Sequence, residues 1–290
     1  MDISLFDFEL DPSRIAQTPI EPRDRSKLLI CKSKGRLGEF DSAFEFKTNE
    51  FKEILEELGP SDFLVVNNAK VLPVRLIGSR QSEKTGELCG QVEALLLRKV
   101  QGEVWTCLMH MSAKAKPGVK IAFGNGLFAE VLSTHEQRVA SEGEVQIKFY
   151  GEAISETKTL ENWLEEFGSV PIPHYIESDV ARESAAAGKN ADARKSDIKK
   201  YQTVYASKSG SAAAPTAGFH FTPDLFEKLE KRGVEFGQVT LHIGIGTFRP
   251  IKVKTIDAHK MHIEYFEISD EFASKYLKAK ADGKRIVAVG

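Results

Sequence analysis

Between Val71 and about Tyr150 the chain is a run of short alternating segments, QVEALLL, VWTCLMHM, LFAEVLS and VQIKFY, broken by glycine-containing turns. Alternation at period two gives each strand one buried and one solvated face, and a closed small β-barrel is the economical way to leave no edge unpaired. On either side the pattern differs. Asp11-Pro12 reads as a helix start, LLIC and GEF as a hairpin-like pair around Lys32 to Gly38, and the stretch from Thr48 as a helix. Phe51, Ile54, Leu55 and Leu58 share one face of that helix, and Gly59-Pro60 ends it. Helical spacing returns at Leu160, Trp163, Leu164 and Phe167 before Gly168, and strand–helix alternation then runs to the end. The expected fold is therefore an α/β main domain with an inserted small antiparallel β-barrel domain. Residues 1–70 and 151–290 form the discontinuous α/β part, and residues 71–150 form the insertion. The Ala/Lys/Asp-rich stretch 177–199 has few large apolar residues and reads as a mobile loop or lid.

The stretch from Ala214 to Phe248 carries the densest chemistry. Thr222 suits an N-cap, Pro223 the first helical position and Asp224 the positive end of the helix dipole, while Gly233 fits the residue after the helix. The next segment alternates, with Val239, Leu241, Ile243 and Ile245 on one face and Thr240, His242, Gly244 and Gly246 on the other. Two glycines beside a histidine let a ligand or another backbone approach. Two readings stay open from spacing alone: a site lined by His242, Gly244 and Gly246, or a glycine bulge beside a hydrogen-bonded histidine.

Composition narrows the class. The 290 residues, 41% of them hydrophobic, suffice for one large or two ordinary domains. No apolar run approaches membrane-spanning length, and MDISLFDFEL has acids where a signal peptide has Lys or Arg, so a cytoplasmic protein is expected. Cys31, Cys89 and Cys107 are too few and too scattered for a disulfide framework or zinc site. With a net charge of −2, any nucleic-acid contact must use local patches, namely Arg23, Arg25 and Lys27, or Lys189, Arg194, Lys195, Lys199 and Lys200. A solvated charged face explains either patch equally well. A generic nucleotide-binding oxidoreductase or methyltransferase is disfavoured, because no G-x-G-x-x-G turn follows an early strand.

Four ordered blocks, YQTVYA (201–206), APTAGFHFTP (214–223), LHIGIGTFRP (241–250) and HKMHIE (259–264), resemble the signature blocks of the S-adenosylmethionine:tRNA ribosyltransferase-isomerase family. FDFEL, IAQTPIEPRDRSKLL and FLVVNNAKVLPVRLIG resemble its opening segments, so the likeness runs from Phe6 to Gly290. One departure lies at Asn67-Asn68-Ala69-Lys70-Val71, where the family usually has Asn-Asp-Thr-Arg-Val. Another is that Arg285 to Gly290 reads as a buried strand with nothing after it, whereas relatives continue with a Thr/Ser-rich turn and a further block. In α/β folds the loop after such a strand commonly binds phosphates or carboxylates.

The resemblance implies transfer and isomerisation of the ribosyl group of S-adenosylmethionine onto 7-aminomethyl-7-deazaguanine at the tRNA wobble position, giving epoxyqueuosine-tRNA, adenine and methionine. The alternative is a C-terminally truncated, non-catalytic tRNA-binding form. The implied partners are tRNA through its anticodon loop and S-adenosylmethionine as co-substrate, with no prosthetic group, no membrane and a monomeric chain. The chemistry needs a base for the proton beside the sulfonium and a donor for departing adenine. His220, His242, His259 and His262 fall inside matched blocks and are the candidates, with Glu264 orienting a histidine or binding ribose hydroxyls. His110, His135 and His174 have weaker claims. His259-x-x-His262 followed by Glu264 also resembles a zinc pattern, but HIEYFEIS reads as a strand and no other ligand cluster is evident. Candidate substrate contacts are Arg23, Asn67, Tyr201, Gln202, Pro215, Thr216, Ala217, Gly218, Phe219, Thr222, Gly244, Gly246, Thr247 and Phe248. Phe219 and Phe248 are suited to sandwich a base, Thr216, Gly218 and Thr222 to hold ribose or a carboxylate, and Tyr201 and Gln202 to donate to the nucleoside.

Overall fold

A computed structural model describes residues 1–33, 44–111, 115–134, 136–137, 143–171, 175–176, 198–244, 251, 253–261 and 263–290. The expected lid falls almost wholly outside them, as do His262, Gly246, Thr247 and Phe248.

A four-stranded sheet forms the centre of the α/β part. β3 (Asp62–Asn67) lies at its centre, paired in parallel with β12 (Glu235–His242) on one side and β14 (Arg285–Ala288) on the other. β13 (Tyr265–Glu267) adds an antiparallel edge to β12. β3 is the continuous apolar strand FLVV, buried on both faces as a central parallel strand must be. Helix α2 (Pro223–Lys231) packs Leu225 and Leu229 with Leu64, Val66 and Val234 on one face. Helix α3 (Asp270–Ala281) packs Phe272 and Ala279 with Phe63 on the other. The helix that precedes β12 and the helix that precedes β14 thus cover opposite faces. That is the doubly wound arrangement, in which ligands gather at the carboxyl ends of the strands.

The barrel closes as expected. Six antiparallel strands, β5 (Arg75–Gln81), β6 (Leu88–Gln101), β7 (Val104–Met111), β8 (Lys120–Gly124), β9 (Leu127–Val131) and β10 (Val145–Tyr150), run in the order β10-β7-β6-β5-β8-β9, and β9 pairs back onto β10. Alternate residues fill the interior, as in β10, where Val145, Ile147 and Phe149 are buried and Gln146, Lys148 and Tyr150 are exposed. Helix α1 (Leu160–Phe167) sets Leu160, Trp163 and Leu164 against the same core, its start fixed by a capping box between Thr159 and Asn162. Entry and exit of this unit touch: Arg75 and Ser169 exchange backbone hydrogen bonds of 2.9 and 3.0 Å.

Four local expectations are corrected. β1 (Lys27–Ser33) contains LLIC, but its antiparallel partner is β2 (Phe44–Glu50), not GEF, which lies outside the described residues. The helix expected from Thr48 is instead a strand through Glu50 and then a 3-10 helix, Phe51–Glu56, because Thr48 to Glu50 complete the ladder with Lys27 to Leu29. Asp11-Pro12 starts only a three-residue 3-10 turn. The last strand, expected to be buried, is half-exposed and pairs with β3 alone among the described residues. A pairing that no periodicity announces joins β4 (Ala69–Val71) in parallel to β11 (Lys208–Ser211).

Asp62 secures β14 to the centre. Its carboxylate accepts from Arg285 at 2.6 and 3.0 Å and from the Gly59 N–H at 2.8 Å. Burial pushes this carboxyl up, but the guanidinium and the N–H outweigh burial and hold it below the ordinary aspartate value of 3.8. A folded-state pKa below the unfolded one stabilises above that value and is lost as pH falls through the folded one. Asp62→Asn should lower stability at pH 7 by about 2 kcal/mol in urea unfolding, since one charge-assisted pair is broken. The gap between variant and wild type should narrow below about pH 4, as the wild-type carboxyl protonates.

Candidate active site at the carboxyl ends of the parallel strands

β3 ends at Asn67, and its side chain continues the ladder after the backbone has turned away. The carboxamide Nδ2 donates to the Leu241 carbonyl at 2.9 Å, and Oδ1 accepts from the Leu241 and Ala69 N–H groups, both at 3.0 Å. The proposed substrate contact is thus a backbone mimic, with both acceptor positions and one of its two donors committed to the protein. Asn68, buried, donates to Gln238 Oε1 at 3.3 Å and accepts from the Thr240 hydroxyl at 2.8 Å, while its carbonyl accepts from Ser207 and Lys208. Where the family usually has an acid, this chain has an amide that both donates and accepts. Thr240 is buried for the same reason, whereas Leu241, on the opposite face of the strand, is 41% exposed.

Beyond β12 the backbone passes Ile243 and Gly244, and the Gly244 N–H donates to Glu264 Oε1 at 3.0 Å. The His242 ring stacks on Tyr265, its cross-strand partner, at 5.7 Å and 24°. Gly210, at φ +137°, lies against the other side, where a β-carbon would sit 2.9 Å from the ring. Only glycine combines that φ with that approach. His242 Nδ1 is buried with no hydrogen-bond partner among the described residues. His242, Gly244 and Glu264 therefore form one group. His259 instead caps the 3-10 turn Ile256–Ala258, in a segment bonded to the N-terminal residues Met1 and Ile3.

A second group gathers around the 3-10 turn Thr216–His220. Tyr201 meets Phe219 edge-on at 5.3 Å, and burial pushes its hydroxyl up to about 12. Gln202 clamps Val71 by donating to its carbonyl at 2.7 Å and accepting from its N–H at 3.1 Å. Arg23 donates to the Gln202 carbonyl at 2.9 Å. The His220 ring packs on Phe51 at 5.2 Å, and burial lowers its pKa, with a hydrogen bond to the Arg23 backbone opposing the shift. Thr222 accepts from the Leu225 N–H at 3.1 Å as the helix cap and lies 3.4 Å from Asp24. Pro215 is buried, whereas Thr216 and Ala217 face solvent. A cavity of 300 Å³ lies beside this group, lined by Lys70, Leu72, Pro73, Ile198, Lys199 and Gln202.

Ser211 joins the two groups, and sequence reasoning did not single it out. Its hydroxyl donates to the Ala213 carbonyl at 2.6 Å and accepts from the Ile243 N–H at 3.0 Å, tying the Ala214-Pro215 block to the His242-Gly244 block. In a serine- and alanine-rich run only its place at the end of a short strand distinguishes it. The arrangement is an α/β fold with an inserted barrel, in which the segments around 211–215 and 241–244 meet beyond the carboxyl ends of the parallel strands β3 and β12.

The chain belongs to the queuosine biosynthesis protein family, whose model matches residues 3–290. It is 40% identical over its whole length to an S-adenosylmethionine:tRNA ribosyltransferase-isomerase of Heliobacterium modesticaldum, and 41% identical over 98% of its length to one from Clostridioides difficile. It spans 74% and 73% of those proteins. A crystal structure of an S-adenosylmethionine tRNA ribosyltransferase from Thermotoga maritima aligns over 98% of this chain and 68% of that one, at 28% identity and a TM-score of 0.36.

Gly218 provides a structural check on the second group. A β-carbon there collides with the Tyr205 hydroxyl and lies 2.7 Å from the Thr203 methyl, and both hydroxyls are buried without partners among the described residues. Gly218→Ala should cost about 1–3 kcal/mol in thermal unfolding, the range for overpacking a tight site. Adding Tyr205→Phe, which removes the colliding oxygen, should recover part of that loss.

Proposed function

We propose that this chain transfers and isomerises the ribosyl group of S-adenosylmethionine onto the aminomethyl arm of 7-aminomethyl-7-deazaguanine at the tRNA wobble position, giving epoxyqueuosine-tRNA and releasing adenine and methionine. The observation that carries this reading is that segments far apart in sequence meet beyond the ends of β3 and β12: Gln202 on Val71, Tyr201 on Phe219, Ser211 on Ala213 and Ile243, and Gly244 on Glu264. The sulfonium makes the adjacent carbon acidic and the sugar electrophilic, so the protein's work is to position the amine nucleophile and to move protons.

In this reading His242 is the base for the proton beside the sulfonium. Its ring is fixed between Tyr265 and Gly210, and its buried Nδ1 has no partner among the described residues. Glu264, aimed by the Gly244 N–H, holds a ribose hydroxyl. The Tyr201–Phe219 pair forms an aromatic wall for a base, and Lys70 and Lys199, on the rim of the adjoining cavity, meet phosphate. Asn67, Gln202, Arg23 and Thr222 act by holding the walls, since their polar atoms are bonded within the protein. The tRNA substrate implies a cytoplasmic enzyme that engages the anticodon loop, here as a monomer without a prosthetic group.

The test is to incubate the chain with S-adenosylmethionine and tRNA bearing the aminomethyl-deazaguanine, digest the tRNA and examine the nucleosides by mass spectrometry. Epoxyqueuosine is expected. His242→Ala should lower kcat/KM by about 100-fold or more, the usual weight of a general base. Binding of both substrates without product would overturn the catalytic reading and leave the non-catalytic tRNA-binding form.

A further inference from the structure

A groove of 410 Å³ lies on the sheet face covered by α3, within the usual size of small-molecule sites. It sits one step along the strands from His242. Thr240 pairs with Glu267 across β12 and β13, and two residues on, His242 pairs with Tyr265. Side chains two residues apart on a strand share a face and are separated by roughly 7 Å. Lys208 and Gly210 repeat the relation on β11, with Lys208 on the groove and Gly210 against the His242 ring. Two parallel rows result: Thr240, Glu267 and Lys208 in the groove, and His242, Tyr265 and Gly210 at the reacting end.

The groove row carries opposite charges without ion-pair partners. Neither Lys208 nor Glu267 makes a salt bridge among the described residues, whereas Glu271 and Lys275 on the same groove neutralise each other at 2.7 Å. Between the two free charges the floor is polar and already bonded, through Asn68, Gln238 and Thr240, and Phe236 and Phe272 supply an apolar side. A cation and an anion facing one small space, beside apolar surface, suit a zwitterion with a short apolar stem.

We propose that this groove binds the α-amino-carboxylate end of S-adenosylmethionine, the Lys208 ammonium meeting the carboxylate and the Glu267 carboxylate meeting the ammonium. The inference rests on the function proposed above. The two-carbon link between amino acid and sulfonium then spans the single step from the groove row to the His242 row, which sets the sulfonium-bearing carbon beside the histidine. Lys208 and Glu267 lie outside the four signature blocks.

Titration calorimetry with three probes, S-adenosylmethionine, 5′-methylthioadenosine and L-methionine, tests the assignment on wild type, Lys208→Ala and Glu267→Gln. Both side chains are exposed, so the variants should fold, which circular dichroism checks. Each variant should weaken S-adenosylmethionine binding by about tenfold or more, as expected for loss of a charge-assisted hydrogen bond. Affinity for 5′-methylthioadenosine, which lacks the amino-carboxylate, should be unchanged, and L-methionine binding should be lost. Variants that bind S-adenosylmethionine as wild type does, or that lose 5′-methylthioadenosine equally, would overturn the proposal while leaving the function intact. If wild type binds no S-adenosylmethionine, the functional reading fails. L-Methionine then still decides the groove: binding that both variants abolish supports it, and absence of binding overturns it.

Discussion

The carboxamide of Asn67 is the constraint on which the rest of the site depends. β3 must stop pairing with β12 so that its chain can leave toward the barrel, yet β12 must stay in register for its far end to carry His242. A side chain that offers the same donor and acceptor as a peptide group meets both demands, accepting from and donating to Leu241 while turning its own backbone through Ala69. Asn68 extends the junction, fixing Thr240 on one side and the start of β11 on the other. From these two residues follow the placement of Lys208 and Gly210, and so the pocket in which the His242 ring is held.

Division of labour follows from how each region is bonded. Residues with the most committed polar groups, Asn67, Gln202, Arg23 and Thr222, sit where segments distant in sequence cross, and their hydrogen bonds replace secondary structure that cannot form there. His242 Nδ1, Lys208 and Glu267 have polar atoms without a side-chain partner among the described residues. For the buried Nδ1 that lack of a partner costs stability, a cost that function commonly explains, whereas the exposed Lys208 and Glu267 are met by water. Tyr205 and Thr203, also unpartnered, differ in being packed against Gly218 inside an aromatic cluster with Phe221 and Phe226.

Much of this was legible in the sequence, and the failures have identifiable causes. Period-two alternation over 71–150 and the Thr222-Pro223 to Gly233 capping pattern translated directly into the barrel and α2, because both signals are local. Thr48 to Glu50 failed because a ladder partner some twenty residues earlier overrode helical spacing. Thr240 and Leu241 lie on opposite faces as the alternation implies, and Thr240 is the buried one because its hydroxyl has a partner in Asn68, which hydropathy cannot register. At the site, residue type in a signature block did not distinguish groups that touch a ligand from groups that hold a wall. Glu264 is held by the Gly244 N–H two residues past His242, while Asn67, Gln202 and Thr222 are bonded to the protein itself. Ser211, Lys208 and Glu267 were missed since their roles arise from the β11–β4 and β12–β13 pairings, neither of which has a periodic signature.

The central claim is that the site is built on the carboxyl ends of β3 and β12 and not on the barrel. Amide hydrogen exchange with and without saturating S-adenosylmethionine tests it most directly, since ligand contact slows local opening. The account predicts added protection concentrated in residues 207–211, 240–244 and 263–268, with the barrel strands β5 to β10 unchanged. Protection confined to the barrel, with those three segments exchanging as in the free protein, would contradict it.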